Sequence, residues 1–363
     1  MEHDFNFENT VKDALREALK ERGHINILIA GRTGVGKSTL INAIFQGNLA
    51  TTGQGRPVTQ NTREIKKEDI PISIFDTRGL EMADFSKTIG DLQSFVRERS
   101  RNTDPKEHIH VAWICISDDL RRVEPAEEQL VEMLADYMPV IAILTKSIFD
   151  DGFKVKVQEL LPLTRNVMRI RAIPQPVDGG YVLPPIGLCD LVEVTIEAVP
   201  EGLRRAFTAA QKVDIELKKT QSHMIVATAA ASATAIAMSP IPFSDALLIV
   251  PVQVAMLAGI SATFGISFNE SFLSSLVGSV VTGAGGTFAG RAIVSALLKF
   301  IPVAGSALGG MIVSSTALAL TTAFGEAYIA ALEMLFIRND GQPPTSDDVV
   351  EAFKERYALS VKG

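Results

Sequence analysis

The segment Ile25-Asn26-Ile27-Leu28-Ile29-Ala30 is a short apolar run of buried-strand type, and it leads straight into Gly31-Arg32-Thr33-Gly34-Val35-Gly36-Lys37-Ser38. Residues 39–46, TLINAIFQ, then read as a helix. Strand, G-x-x-x-x-G-K-S and helix, in that order, fit a phosphate-binding loop. The spacing has a chemical reason. Glycines let successive backbone N–H groups curl around a β-phosphate, and the helix that follows presents its positive N-terminus. On this reading Gly31, Arg32, Thr33, Gly34, Val35, Gly36, Lys37, Ser38 and Thr39 contact a nucleotide. Lys37 reaches the β and γ oxygens as a catalytic group, and Ser38 offers its hydroxyl to Mg²⁺.

Apolar runs recur at Ile70–Phe75, His110–Ile116 and Val140–Leu144, with helical stretches between them. Alternating strand and helix predicts a three-layer α/β domain with a mainly parallel sheet. Asp76-Thr77-Arg78-Gly79 follows the first of these runs. An aspartate at a strand's carboxyl end can hold Mg²⁺ through water, and the Gly79 N–H can touch a γ-phosphate. Thr77 and Arg78 join the nucleotide contacts. Between the two motifs lies Thr51–Thr62, TTGQGRPVTQNT, polar and Gly-rich as a mobile switch loop would be. Thr59 is the expected Mg²⁺-binding and catalytic hydroxyl, with Thr62 second. The metal set is thus Ser38, Thr59 and Asp76, and the catalytic set Lys37, Thr59 and Gly79.

Charge divides the chain. Residues 1–220 carry 62 of the 77 charged residues, 221–336 only six, and 337–363 nine. The expected division is an N-terminal helix over 1–23, the α/β domain over 24–200, an apolar all-α domain over 201–336, and a polar linker with a terminal helix over 337–363. Within the third part, Met224–Ser244, Ala246–Asn269, Ser271–Gly290 and Phe300–Gly325 are uncharged stretches of membrane-span length, roughly 20 residues. Pro240, Pro242 and Pro251 interrupt them, and Gly286-x-x-x-Gly290 and Gly305-x-x-x-Gly309 permit close helix contact. Three readings stand: inserted helical hairpins, conditional peripheral binding, and a soluble Ala-rich bundle or oligomer core. Asp245 reads as a helix cap, residues 203–219 as one helix, and Ser346 as the cap of a short amphipathic helix.

The net charge of -7 excludes a generally basic nucleic-acid binder. Two cysteines exclude a disulfide scaffold and a four-cysteine zinc site. The opening MEHDFNFENT carries no secretory pattern, so an intracellular setting is expected. His108 and His110 share a strand face, but two histidines without a third ligand make a weak metal site. Residues 118–136 read as a charged loop, with Arg121 and Arg122 paired locally, and a solvated amphipathic helix.

Thr145-Lys146-Ser147-Ile148 resembles the [NT]-K-x-D guanine motif, in which Lys packs over the base and Asp accepts from its N1 and N2. Thr145 and Lys146 are therefore base-side candidates. Ile148 occupies the Asp position, and Asp150 or Asp151 substitutes only if the loop is longer. Together GRTGVGKS, PVT, DTRG and TK resemble the Era/TrmE-like branch of translation-factor-type GTPases over residues 24–200. More narrowly, His110–Cys115, Pro185–Leu188 and Ser239–Asp245 make the chain similar to bacterial GTPases fused to a hydrophobic, YcjF-like C-terminal domain of unknown function.

The resemblance implies a three-layer α/β P-loop GTPase followed by an all-α domain, with Mg²⁺ and a cycle between GTP and GDP states. It implies a membrane-associated switch, lipid as a partner through 221–336, and a cytoplasmic GTPase domain at the inner membrane. A homo-oligomer and an unidentified protein effector are the further partners it leaves open. Gly34 stands where potassium-activated relatives have Asn, so no potassium dependence is expected. Leu80 follows DTRG in place of a water-orienting Gln, so hydrolysis is expected to be slow without a partner. Arg78 and Arg32 read first as surface arginines. The alternatives are an ATP-dependent P-loop hydrolase and a weakly catalytic, soluble nucleotide-binding recruitment module.

Overall fold

The computed structural model describes residues 7–52, 54–58, 62–77, 85–237, 245–281 and 310–360. They form two compact units, Gly23–Asp214 and, joining both ends of the chain, 1–22 with Ile215–Gly363. This differs from the expected division in three respects, the first being that residues 337–363 belong to the helical unit and form no part of their own. The N-terminal helix α1 (Phe7–Arg22) belongs to the helical unit, and the boundary falls after 214, not 200.

In the first unit, β1 (Ile25–Ala30), α2 (Lys37–Ile44), a single helical turn α3 (Leu49–Thr52), β2 (Gln54–Pro57), β3 (Thr62–Lys66) and β4 (Ile72–Thr77) come first. Then follow α4 (Phe85–Ser100), β5 (Val111–Ser117), α5 (Pro125–Ala135), β6 (Val140–Thr145), α6 (Phe153–Leu160) and β7 (Asn166–Arg169). A small hairpin β8 (Gln175–Pro176) and β9 (Val182–Leu183), then α7 (Leu188–Ala198) and α8 (Glu201–Ala210), complete it. The main sheet has the order β2-β3-β4-β1-β5-β6-β7. From β4 to β7 neighbours run parallel, while β2 and β3 add an antiparallel edge. The central strands are buried along their whole length. This is why they read as continuous apolar runs and not as alternating ones.

Alternate strand residues sort to two helical layers. Leu28, Phe75, Ala112, Ile114 and Leu144 pack with Leu92 and Phe95 of α4, Leu130 and Leu134 of α5 and Val157 of α6. On the other face Trp113 stacks on Phe45 at 5.7 Å, meets Phe207 of α8 edge-on, and donates from Nε1 to the Thr195 hydroxyl of α7.

The helix expected over 203–219 is broken. Gln211 turns extended, Lys212 N donates to the Ile44 carbonyl, and the Gln211 amide holds both backbone groups of Asp214. Those bonds end α8 inside the first unit and let the next helix start afresh in the second.

At the end of the sheet remote from the phosphate loop, His110 is buried. Its Nδ1 accepts from Asn26 N, so Nε2 carries the proton toward the Pro105 carbonyl. Burial, first, lowers its pKa below the ordinary 6.5. A depressed folded-state histidine pKa means stability that is complete above about 6.5 and lost as pH falls through that value. The first unit should therefore melt at lower temperature at pH 5.5 than at 7.5. His110→Asn, which keeps an acceptor for Asn26 N, should flatten that dependence in calorimetry.

The second unit packs α1 with α9 (Ile215–Ala237), α10 (Asp245–Phe264), α11 (Glu270–Val281), α12 (Gly310–Arg338) and α13 (Ser346–Ser360). Its core joins Val11 and Ala18 of α1 to Val254, Leu257 and Phe264 of α10, Leu273 of α11, Tyr328 and Phe336 of α12, and Phe353 of α13. The α9 and α12 backbones come close: a Cβ on Gly325 would lie 2.4 Å from Val226 Cγ2. Lys218, fully buried, donates to the Thr263 and Phe264 carbonyls and so caps α10. Thr345, not Ser346, caps α13: its hydroxyl accepts from Asp348 N and donates to Asp348 Oδ2. Leu318–Arg338 is long and apolar enough to cross a membrane, and 56% of that window is buried within the protein. PIPFS at 240–244 and the Gly286–Gly290 and Gly305–Gly309 spacings lie outside the described residues.

Candidate functional site: the phosphate loop and its surroundings

The loop between β1 and α2 is built on backbone conformations that only glycine adopts freely. Gly31 has φ 147°, and a Cβ there would lie 2.4 Å from the Cys115 carbonyl oxygen of β5. Gly36, at φ 103°, caps α2. Lys37 opens α2, and its Nζ donates to the carbonyls of Gly31 at 2.6 Å and Arg32 at 3.1 Å. The loop thus closes over its own ammonium group. Thr33, Gly34, Ser38 and Thr39 are exposed along its rim, and Val35 is buried beneath it.

Asp76 is the next-to-last residue of β4, in register with Ile29 of the strand that feeds the loop. The residue is only 4% exposed. Oδ2 accepts from Arg63 Nε at 3.1 Å, while Oδ1 finds no partner among the described residues. Thr77 Oγ1 is likewise buried without a partner. A buried carboxylate oxygen left unpaired costs free energy unless something binds it. The exposed Ser38 hydroxyl and the Asp76 carboxylate are hard oxygen donors of the kind Mg²⁺ takes. Thr62, the second switch candidate, is buried in β3 opposite Thr77. Thr59, Arg78, Gly79 and Leu80 lie outside the described residues.

Thr145 ties the end of β6 to the phosphate loop, its hydroxyl 2.6 Å from the Val35 carbonyl and 3.1 Å from that of Ile116. Lys146 follows with φ 58° and is exposed. It lines a cavity of about 190 Å³ together with Arg32, Thr33, Gly34 and Val35 of the loop. Beyond it Ile148 and Phe149 point to solvent. Asp150 pairs with Arg169 at 3.2 Å and Asp151 with Arg121 at 2.6 Å. Both candidate base-reading carboxylates are therefore ion-paired to arginine. Arg121 also pairs locally with Asp118 at 3.1 Å.

Two acidic residues beside the loop escape the sequence reading. Glu124 accepts from Arg32 Nη1 at 3.3 Å and from Arg122 Nε at 2.7 Å. Glu127 is buried, and its Oε2 accepts from Glu124 N. Burial first, then the Glu124 charge, pushes the Glu127 acid up to about 7, against the pull of the Glu124 N–H and of Arg32 and Arg122. So Arg32 is clasped to the N-terminus of α5, and the expected solvated helix turns a glutamate inward. The capping-box spacing of Glu124 and Glu127 was the available signal.

Among the described residues no cluster of three metal-capable side chains occurs, and His108 bonds the Asn102 carbonyl. Trp113 is core, not a stacking platform.

The family described as 50S ribosome-binding GTPase matches residues 26–146, and the domain of unknown function DUF697 matches 205–357. The chain is a P-loop GTPase domain joined to a DUF697 domain. The GTPase domain thus ends its match at Lys146, within the loop described above. The chain is 29% identical over 140 residues to the tRNA modification GTPase MnmE of Treponema denticola, covering 37% of this chain and 28% of that protein. It is 27% identical over 167 residues to Cell division control protein 10 of Candida albicans, covering 38% and 46%. It is 31% identical over 102 residues to Magnetosome membrane protein 22 of Magnetospirillum gryphiswaldense, covering 28% and 52%. The match spans about half or less of each relative's length.

Proposed function

We propose that the GTPase domain hydrolyses GTP to GDP and phosphate with Mg²⁺, and that the chain acts as a switch attached to the cytoplasmic membrane through its apolar helices. The observation that carries the nucleotide reading is the loop closed on Lys37 Nζ beside a buried, half-unpaired Asp76. Phosphate oxygens are the natural replacement for the Gly31 and Arg32 carbonyls around that ammonium. Mg²⁺, when bound, would neutralise charge on the β and γ oxygens. Ser38 and Asp76 would hold it, directly and through water, and Thr59 would complete the set. Thr145 keeps the loop's Val35 carbonyl turned toward β6. Gly79 would sense the γ-phosphate. Membrane attachment is supported by the apolar length of Leu318–Arg338 and the likeness to a magnetosome membrane protein. A protein effector and self-association belong to the same proposal.

The ion pairs of Asp150 and Asp151, with Ile148 in the expected Asp place, favour a second reading in which ATP serves equally. Displacement of a fluorescent GDP analogue by GTP, GDP and ATP in Mg²⁺ separates the two. Guanine nucleotides should compete at least about a hundredfold better than ATP, a difference of roughly 2.7 kcal/mol. Equal competition removes the guanine assignment. In the same assay Asp76→Ala should abolish the gain in affinity that Mg²⁺ gives GTP, while binding without metal changes little. Turnover that stays undetectable with vesicles present would leave the recruitment module standing.

A further inference from the structure

The loop from Lys146 to Gly152, between β6 and α6, faces the base on the nucleotide reading above. Each of its carboxylates is bound twice. Asp150 accepts from Arg169 Nη1 at 3.2 Å and from Gly152 N at 3.1 Å. Asp151 Oδ1 accepts from Arg121 Nη1 at 2.6 Å and from Phe153 N at 3.3 Å. Asp118, buried just beyond β5, accepts from Ser147 Oγ on one oxygen and from Arg121 Nη1 on the other. Ser147 is itself buried, and its hydroxyl oxygen accepts from Arg169 Nε at 2.9 Å. The acids that line the cavity beside Lys146 are engaged as well. Asp119 accepts from Ser117 Oγ, Glu124 from Arg32 and Arg122, and Glu127 from Glu124 N.

Donors, by contrast, are left over. Lys146 is exposed, and its Nζ has no polar partner among the described residues. Arg171 is only 7% exposed. Its Nε donates to the Pro184 carbonyl at 2.8 Å, while Nη1 is buried without a partner among the described residues. Backbone bonds fix its place beside the loop. The Ile170 carbonyl accepts from Ser147 N at 3.1 Å, and Arg171, next in the chain, exchanges both backbone bonds with Ile186. A guanidinium N–H buried with no acceptor costs free energy unless a ligand supplies one. Purine bases differ in what they supply. Guanine offers acceptors at N7 and O6, which suit arginine, and a 2-amino donor; adenine carries a 6-amino donor where guanine has its oxygen. Hypoxanthine keeps the 6-oxo edge and lacks the 2-amino group.

We propose that this site reads a purine base by its 6-oxo edge, with Arg171 as the donor that sets specificity, and leaves the 2-amino group unread. Its substrate class is then the 6-oxopurine nucleotides, those of inosine as well as guanosine. The inference rests on the nucleotide binding proposed above and says which edge of the base is recognised. It replaces the carboxylate contact that Ile148 has no group to make. Spent acceptors give a 2-amino donor nothing to bind, so adding or removing it changes little. A 6-amino group meets Arg171 donor to donor, and a site built to hydrogen-bond one group rejects the analogue that leaves its own polar group unpaired.

The test displaces a fluorescent GDP analogue from the full chain in Mg²⁺ with GDP, IDP and ADP, diphosphates being used so that turnover does not enter. IDP should compete within about threefold of GDP, and ADP about a hundredfold less well. A carboxylate reading the 2-amino group would instead make IDP about tenfold or more weaker than GDP, which overturns this inference and leaves the GTPase reading in place. Equal competition by all three also overturns it. No binding of the analogue overturns both. Arg171→Met, close in volume and without a donor, should bring GDP and IDP to within about threefold of ADP, and Arg171→Lys should restore a gap of about tenfold. An arginine that only supports the fold would weaken all three nucleotides together, so the GDP-to-ADP ratio is the readout, with the melting temperature as the check on folding. A ratio unchanged in folded Arg171→Met overturns the proposal. Should that variant not fold, the parent's comparison of GDP with IDP still decides.

Discussion

Lys37→Ala should weaken GDP and GTP binding by about a hundredfold or more and remove turnover. The ammonium sits 2.6 Å from the Gly31 carbonyl and 3.1 Å from that of Arg32, so the loop is shaped around a cation at its centre. Charge-assisted hydrogen bonds contribute about 1.5–3 kcal/mol each, and two lost to phosphate give roughly 3 kcal/mol or more, a factor above a hundred. The change should appear in the dissociation rate of a fluorescent GDP analogue, since most affinity losses within one site are in dissociation. Lys37→Arg is not a rescue. A planar guanidinium cannot occupy a pocket made for a point charge between two carbonyls. Circular dichroism should find the fold intact, because α2 keeps its Gly36 cap and the buried Leu40, Ile41 and Ile44. If Lys37→Ala binds GDP as the parent does, the loop is a structural turn and the nucleotide reading falls.

The parts of this site that were legible in the sequence are local. Strand, glycines, Lys-Ser and helix lie within 20 residues, and each residue's role follows from its neighbours in the chain. Asp76 was legible because it closes an apolar run. What stayed hidden depends on partners far away. Glu124 and Glu127 look like surface acids until the sheet places α5 against the phosphate loop and Arg32 across from Glu124. The break at 211–214 is made by the Gln211 side chain on Asp214 together with the carbonyl of Ile44, far earlier in the chain, so helical periodicity alone ran through it. The antiparallel edge β2 and β3 has polar, Gly-rich sequence, and its pairing comes from β4, not from its own composition. In the helical unit, composition correctly marked apolar helices. It could not place α1 among them, because Val11 and Ala18 are buried only by helices more than 200 residues away.

Trp113→Ala should destabilise the GTPase unit by about 3–5 kcal/mol, the range for emptying a buried large aromatic. The side chain is 1% exposed, stacks on Phe45 at 5.7 Å, meets Phe207 at 6.4 Å, and donates to Thr195. It therefore joins β5 to the residue that ends α2, to α7 and to α8 at once. For a unit of this size each kcal/mol moves the midpoint by about 2–4 °C, so the loss should be roughly 6–20 °C. Two units can unfold separately, and the relevant transition is the one that rises when GDP is added. Trp113→Phe keeps the ring contacts and gives up the bond to Thr195, so about 1 kcal/mol is the expected cost. Its Cα neighbour across the ladder is Ile29, two residues before Gly31, and Cys115, two residues on, supplies the carbonyl that Gly31 faces. A cavity at 113 should therefore loosen the loop as well. Well below its midpoint, Trp113→Ala should bind GDP several-fold more weakly, while Trp113→Phe binds as the parent does. Destabilisation without any change in GDP affinity would mean the loop holds its shape through Lys37 and Thr145 alone.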